Sequence, residues 1–204
     1  ALAMFTPKLR ISVTLPRKIP AQLYTPSDSD IKALLAAIDD DELYLAVLLA
    51  AFGPLRRGEL CALESSDIHD NYITVNKCMV KDSDGIWHVQ PRPKTDASFR
   101  TVDFPEFVIE HIPKKEGRIF DCNPDNITNR FHRTIRRNNL SPFRFHDLRH
   151  YAASIMHAIG VPDQYIMQRG GWATDGIMKS VYRDAIDEQT VKMNRLINKH
   201  FSSL

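Results

Sequence analysis

No stretch of this 204-residue sequence is long and apolar enough to cross a bilayer. The longest nearly apolar run, LYLAVLLAAFG from Leu43 to Gly53, falls well short of the roughly 20 residues that a helical span needs, and no secretory leader is evident. The expectation is a soluble, cytoplasmic protein. Cysteine is scarce: Cys61, Cys78 and Cys122 are odd in number and have no CxxC spacing, which argues against a disulfide framework and a zinc site and for a reducing compartment. Internal repeats and low-complexity tracts are absent, so a solenoid or a disordered array is excluded. What is present is a hydrophobic content of 43%, enough for the core of one sizeable domain or two small ones.

The formal net charge of +2 hides a segregated distribution. Asp28, Asp30, Asp39, Asp40, Asp41 and Glu42 fall in one short early stretch, whereas residues 126–146 carry Arg130, Arg133, Arg136, Arg137 and Arg144 with no carboxylate. The first four arginines have the spacing of neighbours on a helical surface. A solvated helix face explains them, and so does a face that binds a phosphate backbone.

Residues 1–24 are basic and proline-rich, with no sustained period, and read as an arm or linker. Ser and Asp caps in YTPSDSD introduce two predicted helices, IKALLAAID and ELYLAVLLAAFG, the second mostly buried; Pro54 breaks the chain, and RRGELCAL resumes as a short helix with Arg56 and Arg57 at its start. YITVNKCMV, GIWHVQ and FRTVDF predict a three-stranded antiparallel meander, with Lys94 in its second turn. Helices are predicted for PEFVIEHI, NITNRFHRTIRRN, the HDLRH segment, DQYIMQ, TDGIMKSVYRD and an amphipathic stretch from Glu188 to Phe201. The fold class is α+β, mainly α.

In FRFHDLRHYAAS, residues 143–154, two histidines, an aspartate and an arginine crowd one helix start. Leu148, Ala152, Ile155 and Ile159 form an apolar stripe predicted to face the core, and Gly160 supplies the stop. His146 and Arg149, three apart, share a neighbouring face where free N–H groups and the helix dipole favour negative charge. A phosphate fits there, as does a plain solvated cap. His146 and His150, four apart, have the spacing of metal ligands, but the intervening residues do not follow HExxH and an adjacent arginine opposes a cation.

Taken in order, GPLRRGEL, PKT, HDLRH, RGGW and VYRD resemble the catalytic domain of the tyrosine site-specific recombinases, the phage and transposon integrase family. The resemblance covers residues 25–204 and leaves residues 1–24 as an interdomain linker, with the family's N-terminal core-binding domain absent. It makes Arg56, Lys94, His146, Arg149, Trp172 and Tyr182 the catalytic set, with Glu59 and His150 supporting. Trp172 stands where many members carry histidine, and its indole N–H donates a hydrogen bond but does not titrate. Asp147 is assigned to capping or to orienting His150.

The chemistry implied is metal- and ATP-independent: Tyr182 attacks a DNA phosphodiester, leaving a 3′-phosphotyrosyl enzyme, while Arg56 and Arg149 hold the non-bridging oxygens. Lys94 protonates the leaving 5′ oxygen and His146 assists proton removal. The implied partner is double-stranded DNA, bound by a homotetramer with directionality or DNA-bending accessory proteins, for integration or excision of a mobile element. No cofactor is expected. The competing readings are a type IB topoisomerase-like enzyme that nicks and reseals one duplex, and a non-catalytic DNA-binding protein on the same fold.

Overall fold

Ser27 starts the first helix: its hydroxyl accepts from the Asp30 N–H while Asp30 accepts from the Ser27 N–H at 2.8 Å, a reciprocal cap for α1 (Asp28–Ala37). Asp40 caps α2 (Asp41–Phe52) through the Leu43 N–H at 3.0 Å. The computed structural model describes residues 24–91, 99–174, 198 and 201. The 1–23 lead-in, Lys94, Tyr182, the TDGIMKSVYRD helix after Thr174 and nearly all of the predicted amphipathic helix lie outside the described residues.

As its composition predicts, α2 is the central helix: Leu43 and every residue from Leu45 to Ala51 are buried. The chain stops at Gly53–Pro54 and restarts as α3 (Arg57–Cys61), with Arg56 in an extended conformation at the cap position. A 3-10 turn at Ser65–Asp67 leads into β1 (Tyr72–Val75) and β2 (Cys78–Lys81), followed by β3 (Trp87–Gln90) and β4 (Arg100–Asp103). Then come α4 (Glu106–Glu110), α5 (Pro124–Arg137), α6 (Asp147–Ala158) and α7 (Asp163–Gly170). Pro124 at the first turn and the Asn123 side chain, accepting from the Asp125 and Asn126 N–H groups, start α5. Among the described residues, no helix is long and apolar enough to cross a membrane.

The predicted meander is replaced by two antiparallel ribbons. β1 pairs with β4, from Tyr72↔Asp103 to Val75↔Arg100, while β2 and β3 form a separate hairpin. The first expected strand divides at Asn76–Lys77. The Asn76 amide donates to Asp67 at 2.9 Å, and the Lys77 ammonium lies 2.5 Å from Glu64 and 2.9 Å from Asp67, so both side chains turn to the 3-10 segment. Beyond the break, β2 packs on α3 so closely that a Cβ on Gly58 would lie 2.6 Å from the Met79 carbonyl oxygen.

The α6 stripe also needs correction. Leu148 and Ala152 are buried, but Ile155 is 36% and Ile159 73% exposed. α6 packs against both α2 and α7, and its buried residues, Asp147 to His150 and Ala152 to Ser154, all precede Ile155. Ala153 joins Ile166 and Trp172 in a small second core, with Met156, Val161 and Met167 packed against it.

Candidate active site

Three arginines from separate parts of the chain end on successive carbonyls of one helix terminus. The last carbonyls of a helix lack intrahelical partners and carry its partial negative charge. At the end of α7, Arg100 Nε donates to the Arg169 carbonyl at 2.8 Å, Arg149 Nη2 to Gly170 at 3.0 Å and Arg56 Nη2 to Gly171 at 2.7 Å. Two glycines make this terminus possible. Gly171 takes φ +65°, the left-handed cap that turns the chain out of the helix, and a Cβ on Gly170 would sit 1.8 Å from the Trp172 ring.

Glu59, one turn into α3 and buried, ties two of these arginines together. Its Oε1 lies 2.6 Å from Arg56 Nη1 and its Oε2 2.9 Å from Arg100 Nη2, while Oε2 also accepts the Arg56 N–H at 2.8 Å. Burial alone would raise the Glu59 pKa. The charge and hydrogen bonds of Arg100, then the charges of Arg56 and Arg149, outweigh it and hold the carboxyl at about 2. Three guanidinium groups thus surround one carboxylate, so the cluster carries an excess of positive charge.

Arg149 differs from the other two. It is 2% exposed, donates to the Pro54 and Gly170 carbonyls, and leaves its Nε without a partner. Among the described residues no carboxylate lies within ion-pair distance of it. Its guanidinium carbon stands 4.7 Å from the centroid of the Trp172 indole. Burial first, then the neighbouring Arg56 charge, lowers its pKa well below the usual arginine value. Trp172 is thereby placed as a wall under the arginine.

His146 occupies the cap position of α6, its ring edge-on to His150 at 5.0 Å. Solvent reaches His146, yet the protein around its ring, then the charges of Arg149 and His150, lower its pKa to about 4. It is neutral at physiological pH and can accept a proton. His150 is buried with Nδ1 unpartnered and Nε2 3.8 Å from Asp147 Oδ1; burial lowers its pKa too. Asp147 caps the entry to α6, accepting from the Arg144 N–H and from its guanidinium, both at 2.7 Å.

That contact separates the five candidate DNA-binding arginines into two groups. Arg144 is paired with Asp147, and Arg130 with Asp40 at 3.2 Å and Glu42 at 2.6 Å. Arg133, Arg136 and Arg137 have no acidic partner among the described residues, and with Asn129 they line a groove of about 520 Å³ on the outer face of α5, opposite buried Ile127, Phe131 and Ile135. Arg56, Glu59, Arg149 and Trp172 are therefore brought together, with His146 and His150 at the start of the helix that carries Arg149. Lys94 and Tyr182 lie outside the described residues.

The family motifs assign Arg100 no role, although its place in the strand pattern carries a signal. In FRTVDF the period-two pattern puts Arg100 on the same buried side as Val102 and Phe104, a position where a charge requires a partner.

Residues 27–189 match the model of the phage integrase family. A Mycobacterium tuberculosis (strain CDC 1551 / Oshkosh) chain named for the prophage phiRv2 integrase is 30% identical over 149 residues, covering 64% of this chain and 39% of its own length. A XerC-like tyrosine recombinase of Caldanaerobacter subterraneus subsp. tengcongensis is 25% identical over 230 residues, covering 95% of this chain and 59% of its own length. This chain thus spans less than two thirds of these relatives. In fold it is similar to the Tn1549 transposon integrase solved in complex with transposon right end DNA, with a TM-score of 0.73, 17% identity, and coverage of 89% of this chain and 68% of that one. With residues 27–189, most of its length, matched to the family's model, the chain belongs to the phage integrase family.

Proposed function

We propose that this chain is the catalytic domain of a site-specific DNA recombinase that cleaves and rejoins strands through a 3′-phosphotyrosyl intermediate. The observation that carries the reading is Arg149: a buried cation with no acidic partner among the described residues, an unpartnered Nε, and a second arginine beside it on the next carbonyl. A buried unpaired charge is costly, and a site that tolerates one is built for an anion that comes and goes. A DNA phosphodiester supplies that anion.

In this reading the Tyr182 oxygen attacks phosphorus, the P–O5′ bond breaks, and the 3′ phosphate remains on tyrosine. The phenolic proton passes to His146, neutral and at the site, and Lys94 gives a proton to the departing 5′ oxygen. Arg56 and Arg149 hold the non-bridging oxygens, on which charge grows in the transition state. Bond energy is conserved in the phosphotyrosine, so no ATP enters, and Arg56 and Arg149 take the charge that a metal ion would otherwise hold. Arg133, Arg136 and Arg137 contact the phosphate backbone. The assembled enzyme is a homotetramer on double-stranded DNA, with accessory proteins setting direction, and it integrates or excises a mobile element in the cytoplasm.

A suicide duplex nicked beside the cleavage site tests this. The wild-type chain is expected to give a denaturation-resistant protein–DNA adduct that disappears in Tyr182→Phe. Binding without any adduct would make the chain a non-catalytic DNA-binding protein.

A further inference from the structure

We propose that Arg100 is a positioning residue for DNA cleavage, holding Glu59 and the last turn of α7 in the places from which Arg56 and Arg149 are aimed. The inference rests on the recombinase reading above.

All three guanidinium nitrogens of Arg100 are engaged, two on the Glu59 carboxylate at 2.9 and 3.2 Å and Nε on the Arg169 carbonyl at 2.8 Å. The planar fork spans two structures that touch the reactive arginines. Glu59 grips Arg56, and the carbonyls of Gly170 and Gly171 hold Arg149 and Arg56. Arg100 itself is 5% exposed and has its own counter-anion. It therefore lacks what marks Arg149 as a phosphate ligand.

Its place is set by register. β4 pairs with β1 so that Arg100 faces Val75, and Val102 and Phe104 on the same side sit in the core. The β1–β4 ribbon thus delivers a rigid cation to the buried side of α3. A lysine there keeps the charge but has one nitrogen on a flexible stem, so it cannot hold the carboxylate by a fork and reach the carbonyl as well.

The consequence is a split between binding and chemistry. In Arg100→Lys the phosphate ligands remain but lose their fixed direction, and displacement of a reacting group by about 1 Å lowers rate roughly 100-fold. Arg100→Gln adds a second signature. Glu59 is faced by Arg56 from the α3 cap, Arg100 from β4, Arg149 from α6 and Cys78 from β2. Without the largest of these charges its pKa rises, and below that pKa Arg56 loses its anchor.

The experiment measures adduct formation on the suicide duplex and noncovalent DNA affinity, for wild type, Arg100→Lys, Arg100→Gln and Arg100→Gln/Glu59→Gln, from pH 5 to 8, where His146 stays neutral. The expected result is a cooperatively melting Arg100→Lys protein with adduct rate lowered roughly 100-fold at unchanged affinity. Arg100→Gln is expected to gain a loss of rate on the acid side that is absent in wild type and in the double variant. An unchanged rate, an affinity that falls as much as the rate, an acid limb that persists in the double variant, or an Arg100→Lys protein that does not fold would each overturn the inference. Wild type giving no adduct at all would instead overturn the recombinase reading.

Discussion

The guanidinium of Arg149 lies over the indole of Trp172, 4.7 Å from centroid to Cζ, and bonds the Gly170 carbonyl two residues before that ring. The same short segment therefore supplies both a flat wall and an acceptor for the arginine. In Trp172→Phe an aromatic face remains, so adduct formation should fall modestly. Trp172→Ala removes the face and empties part of the second core, which costs about 3–5 kcal/mol of stability. Thermal melts beside adduct assays check this; equal adduct rates in Phe and Ala variants would show that the ring does not orient the arginine.

Arg56 offers Nη1 to Glu59 and Nη2 to Gly171, with its side chain 35% exposed toward solvent. Lysine keeps the charge and loses the fork. Arg56→Lys is expected to lower the adduct rate about 100- to 1,000-fold, the loss typical of one preorganised donor, while DNA affinity stays within a few-fold. A rate within threefold of wild type would contradict a phosphate contact by Arg56.

The histidine at the start of α6 predicts a pH profile. With its pKa lowered to about 4, His146 stays neutral as pH falls from 8 to 5. Adduct formation at subsaturating DNA, which reports the free enzyme, should show no histidine limb near 6.5. Stability has its own sign. Between pH 6.5 and 4 the unfolded chain protonates this histidine and the folded chain does not, so stability falls on acidification; below the usual carboxylate range, Glu59 extends the loss toward pH 2. Denaturant titrations should show a shallower fall between pH 6.5 and 4 in His146→Gln. An unchanged slope there would place the proton elsewhere.

The two glycines at the end of α7 fail for different reasons. Gly171→Ala forces an L side chain into φ +65°, at a cost of about 1 kcal/mol. Gly170→Ala puts a methyl 1.8 Å from a ring carbon of Trp172, so the indole must move from beneath Arg149. The expected order is a small loss of melting temperature in the first and a larger loss, with reduced adduct yield, in the second. The reverse order would show that the ring is not confined by Gly170.

Salt dependence separates the arginines of α5. Neutralising Arg133, Arg136 and Arg137 together should reduce the slope of log affinity against log salt by up to about 2.7, since each phosphate contact contributes roughly 0.9. Arg130→Ala should leave that slope nearly unchanged, because Asp40 and Glu42 already take its charge. Fluorescence anisotropy at several salt concentrations measures both. An equal effect from Arg130 would show that its ion pairs open on DNA.

Much of this protein was determined locally. Ser27, Asp40 and Pro124 set helix starts, Gly53–Pro54 breaks the chain, and the apolar run of α2 is buried as its composition demands, because caps and hydrophobic patterns act within a few residues. The ordered motifs pointed to the family by the same kind of short-range information. Tertiary structure alone decided what distant residues share. It split the first strand through Asn76 and Lys77, left Ile159 exposed, neutralised Arg130 and Arg144, and placed Arg100 on Glu59. The decisive contact, Arg56 on Gly171, joins residues 115 positions apart, and no local propensity encodes it. It exists because the buried faces of α2, α3, α6 and α7 can be covered together in few ways, and one of them brings an arginine-bearing helix start to a helix end rich in unpaired carbonyls.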